Sequence, residues 1–446
     1  MTAPLGPDGL HPAHLAEISA RSARALEACG FDSLWIHAGS ERTAFLDDQT
    51  YPFRPNPHFS WWVPLPDAPD SLLQIRPGHR PRLLFHCSRD FWHLPPSLPE
   101  ADWVRGFDIQ PVASWPEVLA ALPPPDHRTA VLGEPVPALE GLAPAVLNPP
   151  TLLRWLHEQR VRKTDFERAC LREASRLGAK GHVAARAAQD AGDSEFGVHQ
   201  AFLAACGQRE MELPYRAIVA RGTNAATLHY QNLERARPGK PTSLLIDAGA
   251  SFRGYGSDIT RTRPARSGDD FAALVSGLDR LQQSLCARVK AGLAWPQLHL
   301  DAHHGIASLL RETGVLRISA DAAVDSGLTS LFLPHGLGHL LGLQVHDVGG
   351  FHDAPLGEAI PPPPRHPALR LTRRLQEGMV VTLEPGIYFI DALLGPARHG
   401  PKSSAIDWNR IDQLRPHGGI RIEDNLLVTG DGSENLTRQA FAALSS

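Results

Sequence analysis

The sequence predicts a mixed α/β protein of two domains, and three observations carry that expectation. The chain has 446 residues, more than one ordinary core accommodates. Its first third alternates short β-type runs with helical spacing, the pattern of a small α/β domain. From about residue 215 onward, short apolar runs are instead separated by Gly and Pro. Between the two patterns Pro135, Pro137, Pro144, Pro149 and Pro150 interrupt any regular element. The expected domains are therefore 1–150 and 151–446.

The elements follow in order. Leu15, Ile18 and Leu26 recur at helical spacing over 10–29. SLWIHA (33–38), RLLFHC (82–87), FDIQPV (107–112) and TAVLG (129–133) read as strands, with WPEVLAAL (115–122) a helix between two of them. Beyond the boundary, Thr164 and Glu167 have capping-box spacing, and Asp193-Ser194 marks a second helix start. SLLIDAG (243–249) and GYGSDITRT (254–262) read as paired strands around a Gly-containing turn. MVVTLEPGIYF (379–389) and GIRIEDNLLVT (419–429) are further strands. Alternation would place Thr382 with Glu384, and Arg421 with Glu423, on common faces. Two long stretches, 351–372 and 391–418, read as loops, and loops of that length tend to be functional or part of an interface.

Composition excludes several classes. The chain is 42% hydrophobic and 21% charged, and 44 basic against 48 acidic residues gives 44 − 48 = −4. Without a basic stripe, no nucleic-acid partner is expected. No apolar run approaches bilayer length, so no membrane partner is expected. The start, MTAPLGPDGLHPAHL, lacks the basic and apolar regions of a signal peptide. Five dispersed cysteines without a CxxC fit a reducing cytoplasm better than a disulfide framework.

Chemistry concentrates in five side chains in fixed chain order: Asp247, Asp258, His339, Glu384 and Glu423. They sit in LLIDAG, GSDITRT, HGLGHLLG, VVTLEPGIY and GIRIEDN. Asp247 and Asp258 are eleven residues apart, so pairing of their strands would bring two carboxylates to one face. Such a pair repels unless a cation lies between them. The plain alternative is two unrelated aspartates, one of them capping a turn. His335 and His339 lie four apart among glycines, which reads either as a crowded polar site or as hydrogen-bonded core histidines. A glutamate in apolar strand sequence needs a partner or a metal. Pairing with Arg421 or Arg370 would account for one glutamate, hardly for both. Four carboxylates and one imidazole suffice to hold two divalent cations, the minimum for a two-metal hydrolase. Hard oxygen donors with a single imidazole favour Mn2+, with Co2+ or Zn2+ as the alternatives.

The ordered set of five within these motifs resembles the metallopeptidase family that holds methionine aminopeptidases, aminopeptidases P and prolidases, over most of residues 215–430. That resemblance implies a C-terminal pita-bread domain carrying both metals. FLDDQTYPFRPNPHFSWWVPLP (45–66) is similar to a segment of bacterial Xaa-Pro dipeptidases and their organophosphorus acid anhydrolase relatives. It implies a dipeptidase that releases C-terminal proline, with organophosphorus triester hydrolysis as a side activity. It also implies a homodimer, with the aromatic segment containing Phe59, Trp61 and Trp62 near the neighbouring subunit's site. Further roles come with the resemblance. Glu384 would move the proton as well as ligate, and His346 or His229 would stabilise the oxyanion. Arg370 would grip the substrate carboxylate and limit substrates to small dipeptides. Arg421, His335 and Tyr215 would line the pocket, and Asp48, or Asp47 beside it, would reach the partner's pocket. The rival readings are an aminopeptidase P acting on longer peptides and, from another class, a non-catalytic binding protein on the same scaffold.

Overall fold

The structure is a computed structural model that describes residues 7–445 apart from 89–90, 95, 99, 122–125, 136–138, 140–145 and 241. Pro137 and Pro144 of the proline-dense stretch, Leu122 of the expected 115–122 helix and the first six residues lie outside the described residues. The chain divides into two compact units. One runs up to Cys170 and includes Ala354–Gly357; the other holds the rest from Leu171 onward.

In the first unit, α1 (Pro7–Cys29) buries Leu15, Ile18 and Leu26 along one stripe. It stops at Gly30, whose φ of 76° turns the chain while Phe31 N–H donates back to the Leu26 carbonyl at 3.0 Å. That is the glycine-terminated helix end that satisfies otherwise orphaned carbonyls. β1 (Ser33–His37) is followed by the short helix α2 (Pro57–Ser60), then β2 (Leu72–Ile75), β3 (Arg82–His86), β4 (Asp108–Val112), α3 (Trp115–Ala121) and β5 (Thr129–Leu132). The sheet order is β4-β3-β2-β1-β5, with β2 antiparallel to both neighbours and the outer pairs parallel. Trp35, Leu72, Leu84, Val112 and Val131 form its core. α4 (Pro150–Val161) packs on α1, where Arg21 Nη1 donates to the Arg162 carbonyl at 2.8 Å. The division between units accordingly falls after α4, inside α5 (Asp165–Asp190), and not at the prolines. β2 carries no alternation, which is why sequence patterning passes over it. Phe59, Trp61 and Trp62 are each at most 1% exposed within the chain, so their side chains offer no free surface to a partner.

The second unit contains most of α5, capped as expected: Thr164 N–H donates to Glu167 at 2.9 Å, and Glu167 N–H to Thr164 Oγ1 at 3.4 Å. α6 (Glu195–Cys206) is capped by Ser194, which accepts from Gly197 N–H at 3.1 Å. β6 (Ile218–Arg221), β7 (Leu244–Asp247) and β10 (Thr260–Arg263) form an antiparallel sheet in the order β10-β7-β6. Between β7 and β10 the chain makes a small hairpin, β8 (Ser251–Phe252) and β9 (Tyr255–Gly256). Its turn residues Arg253 and Gly254 both have positive φ, 52° and 86°, as the favoured two-residue hairpin turn requires. α7 (Asp270–Cys286), α8 (Trp295–Glu312) and α9 (Ala320–Asp325) follow. β11 (Val380–Leu383) and β12 (Gly386–Tyr388) are separate strands, as are β13 (Gly419–Arg421) and β14 (Asp424–Val428). β14 pairs with β11 and with β15 (Ser433–Asn435), and β12 pairs with β13; α12 (Leu436–Ala443) closes the chain. The 391–418 stretch is not one loop: it folds into α10 (Asp391–Arg398) and α11 (Trp408–Leu414). Leu394, Ile411 and Leu414 from it join a core with Phe271, Leu278, Ile306, Ile387 and Ile420.

Candidate metal centre

Asp247 closes β7, and Asp258 follows the β8–β9 hairpin. β10 resumes with Thr260 opposite Asp247, so the excursion returns the second aspartate beside the first. The return is tight: a Cβ on Gly249 would strike the Ser257 carbonyl, so glycine is required there. The Asn425 side chain holds the Asp258 backbone, its amide donating to the Asp258 carbonyl at 2.6 Å.

Glu384 and Glu423 do not lie within strands, contrary to the alternation reading. Each occupies a break, Glu384 between β11 and β12 and Glu423 between β13 and β14. Pro385 lacks the N–H that would continue the ladder. Glu384 N–H bonds instead to the Leu337 carbonyl, and Glu423 N–H to that of Thr260, at 2.9 and 3.1 Å. Strand breaks aim both carboxylates at the segment bearing His339. That segment lies against β11 through Gly338, where a Cβ would meet the Thr382 carbonyl.

The ring of His339 is fixed by donation from Nδ1 to the Leu340 carbonyl at 3.0 Å. This leaves the Nε2 lone pair 3.5 Å from Asp258 Oδ2 and 3.9 Å from Glu384 Oε1. Burial lowers the His339 pKa to about 4, so the ring is neutral and basic at Nε2. One donor atom each from Asp258, His339 and Glu423 lies within 4.8 Å of the others. Burial, followed by the neighbouring carboxylates, raises the pKa values of Asp258, Glu384 and Glu423 well above the usual range. Several buried carboxylates that disfavour one another, facing a neutral imidazole oriented from behind, form a donor set that fits divalent cations.

Asp247 is held from two sides, accepting from Tyr215 Oη at 2.7 Å and from the Arg421 guanidinium. Arg421 also donates to Tyr388 Oη at 2.8 Å and to Thr260 Oγ1 at 3.1 Å. Thr260 in turn donates to Glu423 at 2.7 Å. Tyr388 Oη donates a hydrogen bond to His335 Nε2 at 2.8 Å, while His335 Nδ1 donates to the Gly336 carbonyl at 2.8 Å. Arg421 thus pairs with an aspartate and with neither glutamate. Arg421, His335 and Tyr215, expected to line the pocket, commit these polar atoms to orienting the carboxylates. Behind them Asp424 is fully buried between Arg261 at 2.6 Å and Arg438 at 2.7 Å. Burial alone would raise its pKa, yet the two arginines bring it down to about 2.

Three expected residues face outward. His346 stands edge-on to His339, ring centroids 4.4 Å apart. Arg370 and His229 are exposed, and both lie near enough to His346 to act on it electrostatically. Arg370 has no hydrogen-bond or ion-pair partner among the described residues. Asp48 belongs to the first unit, exposed in a turn where the Asp47 carboxylate accepts from the Asp48 N–H at 2.7 Å. Thr260, Tyr388 and Asn425 contact the candidate ligands or Arg421 and were passed over in motif reading. Tyr388 and Asn425 carried the signal that marked the glutamates, a polar side chain beside apolar strand sequence.

Comparison with known proteins shows the family. Residues 169–430 match the model of metallopeptidase family M24, and residues 9–157 match that of the Xaa-Pro dipeptidase N-terminal domain. The chain is 46% identical over 437 residues to an Xaa-Pro dipeptidase of Stenotrophomonas maltophilia, covering 98% of each chain. It is 46% identical over 434 residues to an Xaa-Pro dipeptidase of Xanthomonas axonopodis, covering 97% of this chain and 98% of that one. Among solved structures, proline aminopeptidase P II from Yersinia pestis superposes with a TM-score of 0.70 at 25% identity, covering 97% of this chain and 99% of that one.

Proposed function

This chain belongs to metallopeptidase family M24 as an enzyme of the Xaa-Pro dipeptidase type, and from that premise we propose how its residues release proline from dipeptides. Asp247, Asp258, His339, Glu384 and Glu423 hold two divalent ions, with Mn2+ favoured by the carboxylate-rich donor set. When bound, such ions lower the pKa of water and polarise a carbonyl.

The remaining work falls to the chain. An Xaa-Pro bond is a tertiary amide without an N–H, so recognition relies on the rest of the substrate. Arg370, exposed and unpartnered, grips the proline carboxylate by a two-pronged ion pair. Glu384, whose pKa is raised by burial and by Glu423, takes and returns the proton at its side-chain oxygen. His346 and His229 supply hydrogen bonds to the oxygen that gains charge. Arg421, Tyr388, Thr260 and Tyr215 keep the ligating oxygens in place.

The observation that carries this reading is the convergence of Asp258, His339 and Glu423, with the Arg370 guanidinium near enough to act on His339 and His346. Its test compares Mn2+-supported turnover of Ala-Pro and Ala-Pro-Ala. A tripeptide presents an amide where Arg370 expects a carboxylate. Proline release from the dipeptide should dominate; a preference for the tripeptide would favour the aminopeptidase P reading, which the fold likeness to such an enzyme supports.

Assembly as a homodimer in the cytoplasm completes the reading. The buried Phe59, Trp61 and Trp62 do not support it, but a neighbouring hairpin tip does. Phe45 and Leu46 there are 87% and 90% exposed, next to Asp47 and Asp48. Such apolar side chains at a tip suit insertion against a second copy. Sedimentation of the intact protein tests this, and a fully active monomer at micromolar concentration would remove it. Among the described residues no helix is long and apolar enough to cross a membrane, and none of the five cysteines is in a disulfide.

A further inference from the structure

A second cluster of metal-ligating side chains lies in the same unit, outside the carboxylate centre. His299 and His303 are one turn apart on α8, and His366 approaches them from the irregular segment before β11. The three ring centroids are 4.5–4.7 Å apart. One nitrogen of each lies within 4.8 Å of the other two. His299 and His303 are at most 1% exposed, while His366 is partly exposed.

As a packed core this arrangement is poorly satisfied. The two Nε2 atoms of His299 and His303 face each other at 3.2 Å, and one N–H between them makes a single hydrogen bond. His299 Nδ1 is buried without a partner, and the His366 ring has no hydrogen-bond partner among the described residues. His303 is oriented from behind, its Nδ1 donating to Thr329 Oγ1 at 2.8 Å. A hydrogen-bonded second nitrogen is the usual support of a metal-bound imidazole. The Nε2 separation also matches an ion's needs. Two nitrogens at about 2.0–2.1 Å from tetrahedral Zn2+ stand roughly 3.3 Å apart. Burial holds the cluster neutral, with the pKa of His299 lowered to about 2 and that of His303 to about 3.

We propose that His299, His303 and His366 form a third metal site, selective for Zn2+ and ions of similar preference such as Cu2+ and Ni2+. An all-imidazole set favours these ions, whereas the carboxylate-rich centre favours Mn2+. His366 also lines, with Arg365, Ser330 and His335, a cavity of about 160 Å3 that has room for water. His366 precedes Arg370 by four residues, so the ion fastens the segment bearing Arg370 to α8.

The test uses the full chain with its carboxylate centre loaded with Mn2+. Wild type and His366→Ala are equilibrated with a small excess of Zn2+, freed of unbound metal and analysed for both elements. The proposal expects one more zinc per chain in wild type, with equal manganese in the two proteins. Equal zinc contents, or zinc gained only as manganese is lost, would overturn it. The unaltered manganese protein gives an independent reading, which decides alone if the variant does not fold. Added Co2+ should produce the strong visible absorption of tetrahedral, nitrogen-bound cobalt, and its absence would also overturn the proposal.

Discussion

The carboxylate centre and the imidazole cluster lie in one unit but are built by opposite means. The first gathers its donors from strand ends and breaks spread between Asp247 and Glu423, so its geometry exists only once the sheets have paired. The second takes two donors from adjacent turns of one helix and needs a single long-range partner, His366. Their electrostatics differ as well. The carboxylates raise one another's pKa and call for positive charge, partly supplied by Arg421. The imidazoles are neutral and offer lone pairs only. Distance from charge and type of donor, more than the number of ligands, decide which ion each can hold.

The largest expected effect separates the two sites outright. Asp258→Asn removes a carboxylate at the heart of the first and leaves the second untouched. Manganese content should collapse and turnover fall by about a thousandfold or more, since a catalytic metal supplies several kcal/mol. Zinc binding at the histidines should persist. Full manganese content in this variant would contradict the ligand assignment.

Arg370→Ala comes next. Its guanidinium is exposed, so losing the pair with the substrate carboxylate costs on the order of 1.5–3 kcal/mol, a factor of roughly ten to 150 in kcat/KM. Manganese content should stay as it is, and the gap between Ala-Pro and Ala-Pro-Ala should narrow. An unchanged ratio would leave Arg370 with a merely structural part.

A smaller loss is expected from Thr260→Val, which removes the hydroxyl between Arg421 and Glu423. Removal of such an orienting group typically weakens metal affinity by 10–100-fold. Manganese titration of the variant reads this directly, and unaltered affinity would show that Glu423 needs no help.

A last effect is on acid stability behind the carboxylate centre. His182 donates to the carbonyls of Ala248 and Ile259, at 3.0 and 3.1 Å, beside the two aspartates. Burial lowers its pKa from 6.5 to about 4. A histidine depressed on folding contributes stability that is complete above 6.5 and lost as pH falls toward 4. The loss amounts to about 3 kcal/mol at most. Denaturant unfolding of metal-free protein across that window should give a shallower slope for His182→Gln than for wild type. Equal slopes would place the acid sensitivity elsewhere.

How legible each site was in the sequence follows from the same contrast. The five ligands could be read because each sits in its own short motif, and a carboxylate in apolar sequence is conspicuous. What the residues around them do was less legible. The HxxxH spacing of His335 and His339 suggested a pair; both rings approach the carboxylates, but only His339 keeps a nitrogen free for them, since His335, 3.6 Å from Glu384, bonds Gly336 and Tyr388. The pair that does share a face, His299 and His303, is spaced identically inside an amphipathic helix, where histidines look like ordinary core. Main strands and helices followed from periodicity. The breaks at Glu384 and Glu423 did not, because apolar runs flank them closely on both sides. The first unit's aromatic segment was ambiguous for a related reason, since Trp61 and Trp62 read the same whether they face a partner or their own core.

The most direct test of the account is proline release from Ala-Pro by the full chain, measured with Mn2+, after chelation and after restoring the ion, with Ala-Pro-Ala run in parallel. The account predicts rapid release from the dipeptide that vanishes on chelation, returns with Mn2+ and far exceeds that from the tripeptide. Release that survives complete removal of metal, or equal turnover of the two peptides, would contradict it.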